Sequence, residues 1–161
     1  MNKSKFRLQV YSAEEFYNLY DNPTDNFKEL VQANRDYFHP TNDLYEDIRK
    51  EPQAIHIVAF STNTNKALSH VGVQSLSTDT DTGTVLYIFH VFTLESYRRQ
   101  GIVTYIIKSL QRQRTKLGLR VDSANRGAIH LYEQLGFIQG PTGVYTTDDD
   151  TDIEYVYEPV V

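Results

Sequence analysis

The sequence predicts an α+β fold, a sandwich of helices on a mixed sheet, and three observations predict it. Short runs of alternating or β-branched residues recur along the chain, as half-buried strands require. Other stretches place apolar residues at helical spacing. Three of the strand-like runs follow one another through short turns, which reads as an antiparallel meander. Helices then alternate with strands, so the helices must cover a sheet.

Each element has its own signal. Residues 6–11 (Phe-Arg-Leu-Gln-Val-Tyr) alternate apolar and polar. Ser12 with Glu15 three residues on forms a capping box, opening a helix that runs to Tyr20, ahead of Asp21-Asn22-Pro23. A second helix is expected from Thr24 or Asp25 to Phe38, with Phe27, Leu30, Val31, Asn34 and Phe38 near one face, and His39-Pro40 ends it. A short helical turn is expected over residues 44–50, before Pro52. Residues 54–60 are β-branched and apolar, 61–66 are turn chemistry, 67–76 alternate, 79–83 form a second turn and 85–93 a third strand. A helix is expected over residues 102–117, because Ile102, Ile106, Ile107, Leu110 and Leu117 recur at helical spacing and Gly118 suits its C′ position. Residues 119–123 read as a short strand, and 125–135 as a helix stopped by Gly136. Residues 137–139 and 153–157 read as final strands around a Gly/Pro/Asp-rich turn. The expected order is β-α-α-β-β-β-α-β-α-β-β.

Composition narrows the function classes. The 161 residues are one domain's worth of chain, enough to bury a sizeable core. A net charge of −5 argues against a broad nucleic-acid surface. No run approaches the ~20 apolar residues of a membrane helix. Lys3, Lys5 and Arg7 stand near the start without an apolar run, which argues against a signal peptide. Cysteine is absent, which excludes disulfides, thiolate zinc sites and a cysteine nucleophile. His39, His56, His70 and His130 show no metal-ligand spacing, so no metal is expected. The expectation is a cytoplasmic protein with no nucleic-acid or membrane partner.

Two segments carry chemistry. The first, Tyr97-Arg98-Arg99-Gln100-Gly101-Ile102, joins a strand to a helix. Amides at a helix start have no intrahelical partner and the helix dipole is positive there. Gly101 admits a close approach, and Arg98 and Arg99 add positive charge, so the segment makes a pyrophosphate cradle. By itself it reads equally as a basic surface turn. The second is Asn125 to Phe137. Asn125, Ala128 and Tyr132 fall near one helix face, with Ala128 leaving room for a slender ligand. Asn125 also reads as an N-cap, and Tyr132 as a half-buried aromatic with a wet hydroxyl.

Taken together, strand, Arg-Arg-Gln-Gly-Ile, helix, short strand, Asn-x-x-Ala-x-x-Leu-Tyr-Glu-x-Leu-Gly-Phe resembles the GNAT superfamily of N-acetyltransferases over residues 85–139, about a third of the chain. The resemblance implies a single GNAT-like domain over residues 1–161. Its sheet would be mixed and mostly antiparallel, of about seven strands, with helices on both faces. It implies acetyl-coenzyme A (acetyl-CoA) as acyl donor and a small-molecule or peptide amine as acceptor, in a monomer or homodimer. The family's Arg/Gln-x-x-Gly-x-Gly/Ala loop falls on Arg98, Gly101 and Val103. Arg99, Gln100, Gly101, Ile102, Val103 and Thr104 then supply amides or a hydroxyl to the pyrophosphate. Val103 departs from the usual Gly or Ala, and its branched side chain crowds the phosphate. Phe92 and Thr93 fall where the family splays its sheet and pairs backbone with pantetheine. Asn125 matches the residue that bonds the cofactor's amide chain, and Tyr132 the general acid that protonates the departing thiolate.

The base is open. Relatives place an acid at one of the two positions filled here by Phe89 and His90. Phe89 cannot serve; His90 can, although strand neighbours alternate and its ring could face away. Asp122, acting through water, is the other candidate. Asp148, Asp149, Asp150 and Asp152 read either as an attraction for a cationic amine or as a solvated acidic turn. Val103 and the missing acid at position 89 also fit a second function, a non-catalytic acyl-CoA-binding sensor or regulatory module. A third reading, an interaction domain built on the twelve tyrosines, is weaker, because aromatic strands are more often core than interface.

Overall fold

The computed structural model describes residues 5–38, 52–77, 84–140 and 152–159. The expected turns over residues 44–50 and 79–83 lie outside them, as do Asp148, Asp149 and Asp150.

Strand β1 (Phe6–Ser12) leads into helices α1 (Ala13–Asp21) and α2 (Lys28–Phe38). Then come β2 (Ile55–Ser61), β3 (Ala67–Ser77) and β4 (Thr84–Thr93), a 3₁₀ turn at Glu95–Tyr97, α3 (Ile102–Gln111), β5 (Lys116–Asp122), α4 (Arg126–Gln134), β6 (Ile138–Gln139) and β7 (Asp152–Tyr157). The element order is the expected one. The seven strands form one sheet in the order β1-β2-β3-β4-β5-β7-β6. Every pair is antiparallel except β4–β5. The fold class is therefore the predicted one.

The capping box at α1 is complete. Glu15 N–H donates to Ser12 Oγ at 3.1 Å, and Ser12 N–H donates to Glu15 Oε1 at 2.9 Å. Such a cap is worth about 1 kcal/mol. Helices α1 and α2 cover one sheet face, where Phe16 stacks on His56 at 4.5 Å and Phe27 lies 6.3 Å from Phe60. Helix α3 covers the other, with Tyr105 at 6.4 Å from Phe6. Between them Leu68, Ile88, Ile106, Ile107 and Leu117 are fully buried.

Two elements start or stop elsewhere than expected. Helix α2 begins at Lys28, because the Asn26 carbonyl accepts from Ala67 N–H at 2.9 Å and is committed to the approach to β3. Helix α3 ends at Gln111 and not at Leu117. The chain turns over at Arg114 (φ +57), and Leu117 and Gly118 pair with β4 as part of β5. Leu117 sits seven residues after Leu110, two helical turns, so its core position in the sheet mimicked a helix face. Gly118 mimicked a helix stop.

Candidate active site

The site begins where β4 and β5 part. Their parallel pairing runs only from Val85↔Lys116 to Ile88↔Leu119. Beyond it β4 stays on β3 as far as Thr93, while β5 stays on β7 as far as Asp122. A wedge opens between the two.

A β-bulge lies at the apex of that wedge. The register on β3 passes from Gly72↔Phe89 to His70↔Phe92, so β4 carries one extra residue. His90 takes the strain at φ +49. A left-handed non-glycine residue costs roughly 1–3 kcal/mol, and bulges increase local twist. The bulge also breaks alternation: the rings of Phe89 and His90 lie 5.3 Å apart, on the same face. Gly72 makes the arrangement possible, because a Cβ there would stand 2.6 Å from the Phe89 ring.

Beneath the bulge lies a buried histidine pair. His56 Nδ1 and His70 Nε2 are 2.8 Å apart, and both side chains are fully buried. Phe16 stacks on both rings, at 4.5 and 4.2 Å. Burial, and secondarily the charge of His90, pushes His56 down to about 4. His70 is driven well below the ordinary value by burial, then by His56 and His90.

After the bulge the backbone alternates regularly. Leu94 N–H donates to Leu68 O at 2.9 Å, and the Phe92 carbonyl accepts from Ser69 Oγ at 2.8 Å. Residues 92 and 94 thus face β3, so Val91 and Thr93 turn their N–H and C=O groups into the wedge. Ser69 Oγ also bonds Thr93 Oγ1 at 2.9 Å. From the loop, Arg98 Nε donates to the Thr93 carbonyl at 3.0 Å, and its guanidinium stands 5.7 Å from the Phe92 ring.

The loop closes in two left-handed steps, Arg99 at φ +64 and Gly101 at φ +81. Such turns direct successive amides into one concavity. The first intrahelical bond of α3 runs from Tyr105 N–H to Gly101 O at 2.9 Å. The amides of Ile102, Val103 and Thr104 therefore lack intrahelical acceptors and carry the positive end of the helix dipole. A Cβ at Gly101 would meet nothing within 4 Å, so glycine serves the backbone angle and leaves the cradle open.

The far wall comes from α4. Asp122 Oδ1 accepts from Ala124 N–H at 2.8 Å, and Asn125 Oδ1 caps the helix by accepting from Ala128 N–H at 3.1 Å. The cleft enclosed has a volume of about 530 Å³. It gathers Phe92, Thr93, Arg98, Arg99, Gly101, Ile102, Val103, Thr104 and Asn125 on its walls. Phe92 contributes its ring, since its carbonyl is engaged on β3. Of the expected donor-binding residues only Gln100 stands outside the lining; its Nε2 donates to Ser96 O at 3.3 Å.

The expected catalytic pair is not in that lining. After Asn125 and Ala128 the α4 residue on the cleft wall is Leu131. Tyr132 is turned inward, 5% exposed, edge-on to Phe137 at 5.7 Å, and burial pushes its hydroxyl up to about 12. His90 lies at the bulge, and Asp122 is bound into the turn before α4. Sequence reasoning missed Val91 and Tyr37. The Tyr37 ring, at the end of α2, is 5.5 Å from Phe92 and closes one side of the cleft. Among the described residues no group of three or more His, Cys, Asp or Glu side chains could hold a metal ion. No helix among them is long and apolar enough to cross a membrane.

A mixed sheet split beside its one parallel pair, with a run of amides free of intrahelical acceptors at the mouth of the split, makes one cleft whose mouth carries the positive end of a helix dipole. The chain belongs to the acetyltransferase (GNAT) family, acetyl-CoA-dependent N-acetyltransferases, whose pattern its residues 13–137 match. Three of the solved structures that share the fold illustrate the likeness. NAA60 of Arabidopsis thaliana in complex with a bisubstrate analogue is 18% identical, over 94% of this chain and 98% of that one, with a TM-score of 0.63. A GNAT family acetyltransferase from Elizabethkingia anophelis with acetyl-CoA bound is 14% identical, over 97% and 99%, with a TM-score of 0.65. A spermidine N-acetyltransferase chimera from Vibrio cholerae and hSSAT is 15% identical, over 97% and 96%, with a TM-score of 0.56. No curated protein matches the sequence.

Proposed function

We propose that this chain, acting as a single catalytic domain, moves the acetyl group of acetyl-CoA directly to a primary amine within a ternary complex. The observation that carries the reading is the wedge itself. One cleft holds the free amides of Ile102, Val103 and Thr104 at one end and the open backbone edge of Val91 and Thr93 along its side. The first suits a pyrophosphate and the second an extended amide chain laid down as an added strand. The acetyl-CoA-bound structure from Elizabethkingia anophelis supports the same donor here.

The chain has no cysteine to carry an acyl intermediate, which favours direct transfer. The amine nitrogen attacks the thioester carbonyl, the C–S bond breaks, the ammonium proton goes to a base, and the thiolate takes a proton from an acid. Holding amine and thioester together supplies the larger share of the rate. Open-edge N–H groups of β4 polarise the thioester carbonyl, a contact worth roughly 3 kcal/mol in comparable sites. His90 is the base we favour over Asp122. The strain at His90 supports it, and the turn that already holds Asp122 counts against the alternative. Tyr132 takes the acid's place: a phenol at about 12 gives its proton to a thiolate of pKa near 8.5 only at a cost of roughly 5 kcal/mol, so its hydroxyl donates a hydrogen bond to the developing charge and the thiolate takes its proton from water.

One observation favours a non-catalytic acyl-CoA-binding module: neither Tyr132 nor His90 lines the cleft. A thiol-release assay with acetyl-CoA and a panel of small and peptidyl primary amines separates the readings. Amine-dependent release of coenzyme A is the expected result. Tight coenzyme A binding with no release on any amine would overturn the enzyme reading in favour of the sensor.

A further inference from the structure

We propose that Arg98 works on the pantetheine side of the donor site, as a brace that sets the open edge of β4, and not as a counter-charge for the pyrophosphate. The inference rests on the donor assigned above. The inward side of its guanidinium is already engaged: Nε donates to the Thr93 carbonyl at 3.0 Å, and Cζ stands 5.7 Å from the Phe92 ring. A bond from a charged donor is about twice as strong as a neutral one. It ties the end of the strand to the loop that carries the cradle. The distance between the strand edge and the amides of α3 is thereby fixed, and that distance must match the span from thioester to pyrophosphate.

The brace also selects the register. Of the four backbone groups that Val91 and Thr93 turn into the wedge, Arg98 occupies the Thr93 carbonyl. The Val91 N–H, the Val91 carbonyl and the Thr93 N–H remain for an incoming amide chain. On the β3 side the same strand end is held by Ser69, whose Oγ bonds the Phe92 carbonyl at 2.8 Å and Thr93 Oγ1 at 2.9 Å. Phe92 and Thr93 are thus clamped from both flanks, from inside the sheet by Ser69 and across the split by Arg98. Arg99, at φ +64 and with its side chain exposed, is left to supply charge at the cradle.

Three probes separate the two roles: coenzyme A, pantetheine (which lacks the pyrophosphate) and ADP (which lacks the pantetheine). Dissociation constants are measured by NMR titration for wild type, Arg98→Gln and Arg98→Lys. Loss of the brace is expected to weaken coenzyme A and pantetheine by the same factor, on the order of tenfold, and to leave ADP unchanged. Lysine, which keeps the charge but lacks Nε in a planar fork, is expected to rescue neither. Weakening of coenzyme A and ADP with pantetheine unaffected, rescued by lysine, would overturn the proposal in favour of a pyrophosphate contact. Equal loss on all three probes would overturn it in favour of general damage to the loop, and no loss on any would overturn it outright. A wild-type readout stands beside the variants. The Arg98 Nε–H resonance should keep its protection from exchange when coenzyme A is added, and loss of that protection would sink the brace. Binding of none of the probes by wild type would instead sink the donor assignment.

Discussion

Acidification should unfold this protein earlier than its carboxylates alone predict, because two neutral histidines are buried against each other. His56 and His70 share a 2.8 Å hydrogen bond beneath Phe16, with no side-chain exposure. An unfolded histidine titrates near 6.5, whereas His56 in the fold is pushed down to about 4. Above pH 6.5 neither state carries the proton and the residue is silent. Between 6.5 and about 4 the unfolded chain takes the proton and the folded chain does not, so stability falls as pH falls. Below about 4 both states are protonated and the loss from His56 levels off. At 1.36 kcal/mol per pH unit, the gap amounts to about 3 kcal/mol for His56. His70 shifts in the same direction, so its loss starts at the same pH. The two share a bond, so the observed steps belong to the pair.

For a domain of this size a loss of about 3 kcal/mol is a large share of the ~5–15 kcal/mol that holds it folded. Urea unfolding at half-unit steps from pH 7.5 to 4.0 measures it. The free energy should fall steadily between 6.5 and 5, a window above the range of ordinary carboxylates. Glu15, held below the usual carboxylate value by its bonds to Ser12, contributes only as pH drops further, because its stabilising charge is lost through a lowered pKa. Replacing both rings, His56→Leu with His70→Leu, removes the titrating groups together and leaves no orphaned partner. The fall between 6.5 and 5 should flatten in that variant. A wild type that is flat in that window, or a double variant that keeps the wild-type slope, would refute the reasoning.

Four further outcomes follow from the site. Gly101→Ala should weaken coenzyme A only slightly and cost about 1 kcal/mol of stability for its left-handed angle, whereas Gly101→Asp should weaken binding severely by calorimetry; equal affinities in the two would remove the pyrophosphate from this turn. Tyr132→Phe should keep coenzyme A affinity and lose ~10²–10⁴-fold in kcat, and no alkaline limb below pH 10 should trace to Tyr132, since its hydroxyl is held at about 12. Rates measured from pH 5 to 9 should rise through an imidazole-like limb that His90→Ala abolishes and Asp122→Asn keeps; the reverse pattern assigns the base to Asp122. Gly72→Ala would set a Cβ 2.6 Å from the Phe89 ring and should displace that ring, cost about 1–3 kcal/mol in urea unfolding, and disturb turnover more than coenzyme A binding.

What could be read in the sequence was whatever one stretch of backbone decides alone. The capping box at Ser12 and Glu15 is such a case, and so is the loop 98–104, where a glycine and a run of amides without intrahelical acceptors gather at the start of a helix wherever the fold puts them. Asn125 satisfied two readings at once: it is the N-cap of α4 and also a wall of the cleft. The rest depended on pairing between distant strands. No residue marks Ile88 and Leu119 as the last parallel pair, because the end of a ladder is a property of two strands and their neighbours. The bulge was equally silent. Its left-handed angle falls on His90 rather than on a glycine or asparagine, so nothing local announced it. Strict alternation leaves open whether His90 faces away from Phe89, and it gives no reason to place Val91 on the cleft. Arg114 and Gly118 repeat the lesson in a loop, the arginine taking the left-handed angle and the glycine going into the sheet. In each case a side chain tolerates a backbone conformation it does not prefer because distant contacts hold it there. At the bulge the hold comes through Phe89, whose ring lies 5.3 Å from that of His90 and 6.0 Å from that of His56 and leaves no room for a Cβ at Gly72, and none of these residues lines the cleft.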